Sequence, residues 1–160
     1  MSAPYVVVLC TANICRSPMA AGLLRHALAA QSEPLRSIRT ISAGVSARAG
    51  EAVTDHSVTT MRKVGIDISG HVSRPLTQEL LDGALAVFGM TESHRAIILA
   101  TAQPPPSELH LFREFVGDGR PEIADPYGGP LSVYVQARDE MVEAIPSVVE
   151  FLRRLLAGAR

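Results

Sequence analysis

The chain has 160 residues, of which 47% are hydrophobic and 19% charged, and its formal net charge at pH 7 is −1. This composition is typical of one folded domain, which we expect to span residues 1–160, and the near-neutral charge without a basic run argues against nucleic-acid binding. No apolar run approaches the ~20 residues of a membrane span and no signal-peptide pattern opens the chain, so a cytoplasmic protein without membrane partners is expected.

Apolar, β-branched runs alternate along the chain with segments of helical period, which predicts an α/β fold of parallel strands joined by crossover helices. The strands are predicted at residues 6–9, 38–43, 85–88 and 109–112. The helices are predicted at about 17–30, at 52–64, after Thr77 as far as Leu81, from Thr91 to about Ala100, and over 131–156.

Three details of these elements are specific enough to be tested. In the second helix, which Gly65 should end, Val53, Val58, Met61 and Val64 are expected to face inward. The three prolines at 104–106 predict an irregular surface crossing. Pro146 is expected to kink the last helix or divide it in two.

The stretch C-T-A-N-I-C-R-S at residues 10–17 lies between the first predicted strand and the first predicted helix. Backbone N–H groups in such a turn, together with a helix N-terminus, form an anion site, and the Arg16 guanidinium suits two oxygens of a phosphoryl group. The same environment favours thiolate over thiol at Cys10, which makes that sulfur a candidate nucleophile. The alternative is a buried Cys10 that acts as a small hydrophobic residue beside an ordinary Arg16.

Cys10 and Cys15 are the two cysteines of the chain. Two cysteines in one turn do not make a disulfide framework, and no second Cys or His pair stands at zinc-ligand spacing. We therefore expect no metal site and no other cofactor.

Asp125-Pro126-Tyr127 is a second candidate element, near the start of the last predicted helix. Cleavage of a phosphate ester by a thiolate is faster when an acid protonates the leaving oxygen, and Asp125 is the candidate. Asp-Pro followed by Gly128, Gly129 and Pro130 is also a plain turn signal, so this segment alone does not decide the matter.

The spacing of Cys10 and Arg16 resembles the C-x5-R signature of cysteine-dependent phosphatases. The fuller string C-T-A-N-I-C-R-S-P, with Ser42-Ala43-Gly44 and the Asp125-Pro126-Tyr127 element, resembles the low-molecular-weight protein tyrosine phosphatase family. The resemblance implies a three-layer α/β domain with a four-stranded parallel sheet flanked by helices. One departure is Ala12, where the family has Gly, which can mark positive φ.

The resemblance also implies roles for individual residues. Cys10 would attack phosphorus, Arg16 would bind phosphoryl oxygens, and Asp125 would act first as acid and then as base. Substrate contacts would come from the loop and from one later residue, namely Thr11, Ala12, Asn13, Ile14, Cys15, Ser17 and Tyr127. Ser42 would brace the loop, and His71 would be structural.

Two of these roles have alternatives. Ser17 would hydrogen-bond the Cys10 thiolate, or it is simply the N-cap of the first helix. In the family, the cysteine equivalent to Cys15 can trap the oxidised nucleophile as a disulfide; the alternative is a small residue that packs under the loop.

The expected substrate is a phosphorylated protein, and a monomer is the default expectation. Ile14 favours phosphotyrosine, because a branched apolar side chain suits an aromatic ring, whereas Met90-Thr91 and segments 73–77 and 125–129 look more like phosphoarginine phosphatases. Arsenate reductases share the fold but usually draw on a later resolving cysteine, and none follows Cys15 here. A non-catalytic phosphate-binding module would not need Cys10, Arg16 and Asp125 together.

Overall fold

A computed structural model of the chain describes residues 3–158. Its four strands are β1 (Tyr5–Cys10), β2 (Arg39–Gly44), β3 (Val87–Gly89) and β4 (Leu109–Leu111). Its α-helices are α1 (Arg16–Ala29), α2 (Asp55–Arg62), α3 (Gln78–Gly83), α4 (Glu92–Thr101) and α5 (Leu131–Leu156). Short 3-10 turns lie at Leu35–Ser37 and Glu114–Val116.

The strands form one parallel sheet in the order β2-β1-β3-β4, as the alternating sequence pattern predicted. In β1, Val6 and Val8 join the apolar layer that contains residues of α1 and α5, whereas Val7 and Leu9 join the layer on the other face. Both faces of the sheet are therefore covered, which explains why β1 is a continuous apolar run. Because all four strands run in one direction, their carboxyl ends meet at one edge of the sheet.

The second helix differs from its prediction. It begins at Asp55 and ends at Arg62. The late start has a physical reason, because Ala52 forms an antiparallel bridge with Val72 instead of joining the helix. Val64 was wrongly predicted to face inward: it follows the helix and is 43% exposed, while Met61 is fully buried. A tertiary pairing, which sequence periodicity does not report, thus shortened the helix at its N-terminus.

Pro146 does not divide α5, so of the two expected outcomes, a kink or a division, the division is wrong. Pro146 is exposed, and the carbonyl it leaves without a helical partner belongs to Val142, which is also exposed and open to water. Residues on both sides of the proline, among them Met141, Ala144, Val148 and Leu152, are buried, and the helix packs against α1 and α2.

Two smaller predictions hold, and a third is off by about two residues. Thr77 caps α3 by accepting a hydrogen bond from Leu80 N at 3.1 Å, and residues 102–108 contain neither helix nor strand. The third strand is shifted to Val87–Gly89 from the predicted 85–88. Within residues 3–158 none of the helices combines the length and the apolar character that crossing a bilayer would demand.

Candidate active site

The loop of residues 11–15 joins the carboxyl end of β1 to the N-terminus of α1. Cys10, the last residue of the strand, and Cys15, just before the helix, are both buried free thiols. Within the described part of the chain, the backbone N–H groups of this loop donate to no protein acceptor. They are therefore available to an anion at the helix N-terminus.

Asn13 holds the loop from inside the protein. It is the one non-glycine residue among 3–158 with a positive φ, 61°, and it is completely buried. Its Nδ2 donates to Ser17 Oγ at 2.8 Å and to Ser42 Oγ at 3.0 Å, and its Oδ1 accepts from Arg74 N at 2.9 Å. The strained left-handed backbone is thus compensated by hydrogen bonds from three different segments.

The backbone of Asn13 is fixed as well. His71 Nε2 lies 2.8 Å from the Asn13 carbonyl oxygen, so that nitrogen carries the hydrogen and donates it. Burial lowers the pKa of His71, which keeps the ring neutral at pH 7. Ala12 does not share the positive φ of Asn13, so the loop does not require glycine at position 12.

The Cys10 thiol lies 3.0 Å from Ser17 Oγ. Because Ser17 Oγ already accepts a hydrogen bond from Asn13, its own hydrogen is free to point at the Cys10 sulfur. Ser17 is the second residue of α1 and not its N-cap, a position taken by Cys15. Of the two interpretations of Ser17, the structure supports the sulfur contact.

Strand β2 packs closely behind the loop. Val45 N donates to the Cys10 carbonyl at 3.0 Å and Ser46 N donates to the Thr11 carbonyl at 2.9 Å. A Cβ at Gly44 would lie 2.6 Å from the Thr11 carbonyl oxygen and 3.0 Å from Asn13 N. The Ser42-Ala43-Gly44 element therefore supports the loop in two ways. The Ser42 hydroxyl accepts a hydrogen bond from Asn13, and the absence of a side chain at Gly44 lets the loop backbone pack closely against β2.

Arg16 is 96% buried and links the loop to the segment that carries Asp125. Its Nη1 donates to the Ile123 carbonyl at 2.8 Å, and its Nη2 lies 3.8 Å from Asp125 Oδ2. Its Nε is buried without a partner. A buried donor without a partner is costly, so this N–H is suited to an oxygen of a bound anion.

The segment that carries Asp125 is anchored at Ile123 and held in a turn at Asp125. Ile123 N donates to the Met90 carbonyl at 2.9 Å, just beyond β3, and Tyr127 N donates to Asp125 Oδ1 at 3.1 Å. Earlier in the segment, the fully buried Arg113 binds Asp118 at 2.5 Å and the Glu140 carbonyl of α5 at 2.9 Å. Asp125 itself stays half exposed.

These residues converge on a pocket of about 270 Å³. Its lining consists of Cys10, Thr11, Ala12, Ile14, Cys15, Arg16, Glu51, Asp125 and Tyr127. The structure thus brings together in the pocket lining eight of the ten residues predicted as site residues. The side chains of the other two, Asn13 and Ser17, point away from the pocket lining and support the loop from behind. Within residues 3–158, no three or more His, Cys, Asp or Glu side chains are grouped in a way that could hold a metal ion.

The sequence profile described as low molecular weight phosphotyrosine protein phosphatase matches residues 5–156. The chain belongs to this family. A protein-arginine-phosphatase of Geobacillus stearothermophilus is 35% identical, over 94% of this chain and 97% of the relative. A probable low molecular weight protein-tyrosine-phosphatase, EpsP, of Ralstonia nicotianae is 32% identical, over 94% of this chain and 97% of its own length.

Among solved structures, the YwlE arginine phosphatase from Geobacillus stearothermophilus superposes with a TM-score of 0.84 at 32% identity. The match covers 98% of this chain and 97% of that one. The expected fold, a parallel four-stranded sheet flanked by helices, is therefore confirmed, and so is the resemblance to low-molecular-weight phosphatases. The relatives carry both substrate names, protein arginine and protein tyrosine phosphatase, and so do not choose between them.

Two residues of this low-molecular-weight phosphatase site were missed by the sequence analysis. His94 is buried in the first turn of α4, and its Nε2 lies 3.1 Å from Thr11 Oγ1 in the loop. Its Nδ1 accepts from Met90 N at 3.1 Å and from Thr91 N at 3.3 Å. Its position three residues after the cap Thr91 was the one available signal, because a side chain there can reach back to the helix start.

Glu51 is the other missed residue, and it lines the pocket itself. A single glutamate after a glycine in a polar stretch carries no sequence signal. Its place in the pocket depends on the pairing of residue 52 with residue 72, which is a tertiary contact.

Cys15 lies among hydroxyl groups on the inner side of the loop. Its sulfur is 3.5 Å from Tyr134 Oη and 3.6 Å from Thr54 Oγ1. Burial raises the pKa of Cys15 above its ordinary value, although the hydrogen bonds to Tyr134 and Thr54 oppose the rise. Burial, and then the contact with Cys15, raises the pKa of Tyr134 to about 12. Cys15 therefore stays a thiol at pH 7.

Proposed function

We propose that this chain is a cysteine-dependent protein phosphatase, formed as one domain over residues 1–160, that hydrolyses phosphotyrosine and small aryl phosphates through a cysteinyl-phosphate intermediate. The observation that carries the proposal is the meeting of Cys10, Arg16 and Asp125 in one pocket, with the loop N–H groups and Arg16 Nε left for a phosphoryl group. A nucleophile, an anion site and an acid within one small pocket are the parts that this reaction needs.

In the first step the Cys10 thiolate attacks phosphorus while the bond from phosphorus to the leaving oxygen breaks. The loop N–H groups and Arg16 hold the equatorial oxygens, because their dipoles and charge face the place where negative charge is spread. Asp125 gives its proton to the leaving oxygen, which departs as a neutral alcohol or phenol. The products of this step are the cysteinyl-phosphate and the Asp125 carboxylate.

In the second step a water molecule attacks the cysteinyl-phosphate. Asp125, now a carboxylate, takes a proton from that water as its oxygen bonds to phosphorus, and the bond between phosphorus and sulfur breaks. The hydrogen of Ser17 Oγ, 3.0 Å from the sulfur, stabilises the thiolate that leaves. Inorganic phosphate is released, and Cys10 and Asp125 return to their starting states.

The side chain of Ile14 supports an aryl substrate. It lines the pocket together with the ring of Tyr127, so that a flat leaving group would meet one branched apolar side chain and one aromatic side chain. Tyr127 is the one aromatic residue of that lining, since the stretch of residues 45–49 after Gly44 supplies no second ring. The pocket therefore suits small aryl phosphates better than it suits a tightly clasped phosphotyrosine side chain.

A second candidate is a protein arginine phosphatase that uses the same residues. The bond cleaved would then join phosphorus to a guanidinium nitrogen, and Asp125 would protonate that nitrogen. Two observations favour it: a carboxylate, Glu51, lies in the pocket lining, and several relatives of the chain are named arginine phosphatases.

The remaining properties are proposed on simpler grounds. A catalytic thiol that must stay reduced, with both cysteines free, suits the cytoplasm. We propose a phosphorylated protein as the partner, a monomer as the working form, and no requirement for a metal or other cofactor, for nucleic acid or for a membrane.

The experiment is hydrolysis of p-nitrophenyl phosphate in the presence of a chelator, by the native chain, Cys10→Ser and Asp125→Asn. Cys10→Ser should lose turnover, and Asp125→Asn should be slowed by roughly 10²–10⁴-fold, the usual contribution of a general acid. Turnover that survives in Cys10→Ser, or that appears only after a divalent metal is added, would refute the proposal. Peptides that carry phosphotyrosine or phosphoarginine then separate the two candidate substrates.

A further inference from the structure

Glu51 is an exposed carboxylate in the lining of the pocket that holds Cys10. The mechanism above assigns it no role. It shares this lining with one cation, Arg16, and one other carboxylate, Asp125. A phosphoryl group bound to the loop would occupy Arg16, so Glu51 is left to act on the rest of the substrate.

The backbone at Glu51 is held in place by a single residue, Ser73. Glu51 N donates to Ser73 Oγ at 2.9 Å, and Ser73 N donates to the Glu51 carbonyl at 2.8 Å. The preceding Gly50 N donates to the Ser73 carbonyl at 2.9 Å, and the Ser73 hydroxyl donates to the Arg48 carbonyl. Four hydrogen bonds to one buried residue make residues 48–51 a fixed part of the pocket wall and not a loose loop.

The same anchor connects Glu51 to the catalytic loop. Arg74, the residue after Ser73, donates its N–H to Asn13 Oδ1 at 2.9 Å, and Asn13 supports Ser17 in turn. The distance between the Glu51 backbone and the phosphate site is therefore set by a continuous chain of short hydrogen bonds. A charged side chain that extends from a fixed backbone position beside the reacting phosphorus can discriminate between leaving groups.

The carboxylate of Glu51 is not neutralised within the protein. Among residues 3–158 no ion pair includes Glu51, although Arg48 and Arg74 lie on the same and the adjoining segment. Its hydrogen bonds are those of its backbone. The oxygens of the side chain are therefore free to accept hydrogen bonds from a ligand.

We propose that Glu51 is a specificity-determining residue that favours a cationic leaving group, namely the guanidinium of a phosphoarginine side chain, over the neutral ring of phosphotyrosine. A guanidinium offers both positive charge and N–H donors, and a carboxylate accepts these with planar geometry. A phenyl ring offers neither, so Glu51 gives it no attraction. The inference rests on the phosphatase activity proposed above.

The test compares two peptides of identical sequence, one with phosphoarginine and one with phosphotyrosine at the same position. The native chain is compared with Glu51→Gln and with a matched control, Glu79→Gln, at each of two salt concentrations. Glu79 is also exposed, lies outside the pocket lining and has no ion pair among the described residues. Both variants therefore remove one negative charge, but only one of them removes it from the pocket.

The quantity measured is the ratio of kcat/KM for the phosphoarginine peptide to kcat/KM for the phosphotyrosine peptide. Glu51→Gln should lower this ratio roughly three- to fivefold at low salt, the usual size of an exposed charge interaction, and less at high salt. Glu79→Gln should leave the ratio unchanged. Glu51→Lys, which reverses the charge, should lower the ratio further than Glu51→Gln.

A ratio that stays the same in Glu51→Gln, or that falls equally in Glu79→Gln, would overturn the inference while the native phosphatase activity stands. A native chain that cleaves phosphotyrosine but never phosphoarginine would also overturn it. The proposed function fails in a different way, through a folded native chain that hydrolyses neither peptide nor p-nitrophenyl phosphate. Hydrolysis of the phosphoarginine peptide, the phosphotyrosine peptide and p-nitrophenyl phosphate therefore separates failure of the inference from failure of the proposed function.

Discussion

The side chains of His94 and Thr11 lie 3.1 Å apart, between the first turn of α4 and the loop of residues 11–15, although the two residues are 83 positions apart in sequence. Because His94 Nδ1 accepts two backbone N–H groups, its hydrogen is on Nε2 and is donated to the Thr11 hydroxyl. Thr11 Oγ1 thus accepts from His94, and its own hydrogen is left for the pocket that it lines. We therefore expect His94 to act as a positioning residue, through Thr11 and not by direct contact with substrate.

The first prediction separates this contact from the helix cap. His94→Asn keeps an oxygen near the place of Nδ1, so the bonds from Met90 N and Thr91 N should survive while the contact with Thr11 is lost. We expect kcat/KM for p-nitrophenyl phosphate to fall about three- to tenfold, the effect of one hydrogen bond worth about 1 kcal/mol. His94→Gln, which places a donor near Nε2, should recover part of the loss.

A double-mutant cycle provides the control for that prediction. If His94 acts through Thr11, then Thr11→Val and His94→Asn together should cost little more than Thr11→Val alone. Fully additive losses would show that His94 supports the site only by holding α4.

The second prediction concerns stability at acidic pH. Burial, and next the charge of Arg16, lowers the pKa of His94 from 6.5 to about 4, although Asp125 and Glu122 oppose this. The unfolded chain therefore binds a proton at His94 more tightly than the folded chain does. The contribution of His94 to the free energy of unfolding is complete above about pH 6.5 and is lost as the pH falls toward 4. Between about pH 7 and pH 5 the loss should be about 2 kcal/mol.

Urea unfolding of the native chain and of His94→Asn at these two pH values measures that loss. The variant should lose less stability on acidification than the native chain, because it lacks the His94 imidazole. The pKa of His71 is also lowered, but His71 is present in both proteins and contributes equally to both losses. An equal loss in the two proteins would show that other groups account for the acid sensitivity.

The third prediction is that Gly44→Ala damages the site through the backbone. The new Cβ would lie 2.6 Å from the Thr11 carbonyl oxygen, a distance that forces the loop or β2 to move. We expect a drop of at least about tenfold in kcat/KM, because displacement of the loop N–H groups weakens the binding of a phosphoryl group. Gly70→Ala is the matched control, since a Cβ there meets nothing within 4 Å. Equal activities of the two variants would contradict the tight packing described here.

The fourth prediction concerns the two thiols. Burial raises the pKa of Cys15 above its ordinary value, so Cys15 is a thiol at pH 7. Iodoacetamide at pH 7 should therefore modify Cys10 well before Cys15, which peptide mapping by mass spectrometry would show. Tyr134→Phe removes a hydrogen bond that favours the Cys15 thiolate, and should slow labelling of Cys15 further. Equal labelling of both cysteines at pH 7 would refute this assignment.

Much of the site was predictable because its central part is contiguous. Cys10, Ile14 and Arg16 fall within seven residues between a strand and a helix, and a turn of that length must bring them together. Asp125 was recognisable through the Pro126-Tyr127 that follows it, although its distance from Arg16 was not. Ser17 was ambiguous in sequence, because a serine at the start of a helix has two plausible uses, and only the 3.0 Å contact with Cys10 favoured one of them.

The amino-acid sequence by itself determined the parallel α/β fold and the family, and it singled out the candidate nucleophile Cys10 with the loop that follows it. It could do so because strand period, helix period and a local turn motif are encoded by near neighbours in the chain. The tertiary structure alone decided that His94 supports Thr11, that Ser73 holds Glu51 in the pocket wall, and that the second helix begins late. Each of these depends on residues at least 20 positions apart, and such contacts are set by packing and buried hydrogen bonds, which a local pattern does not report.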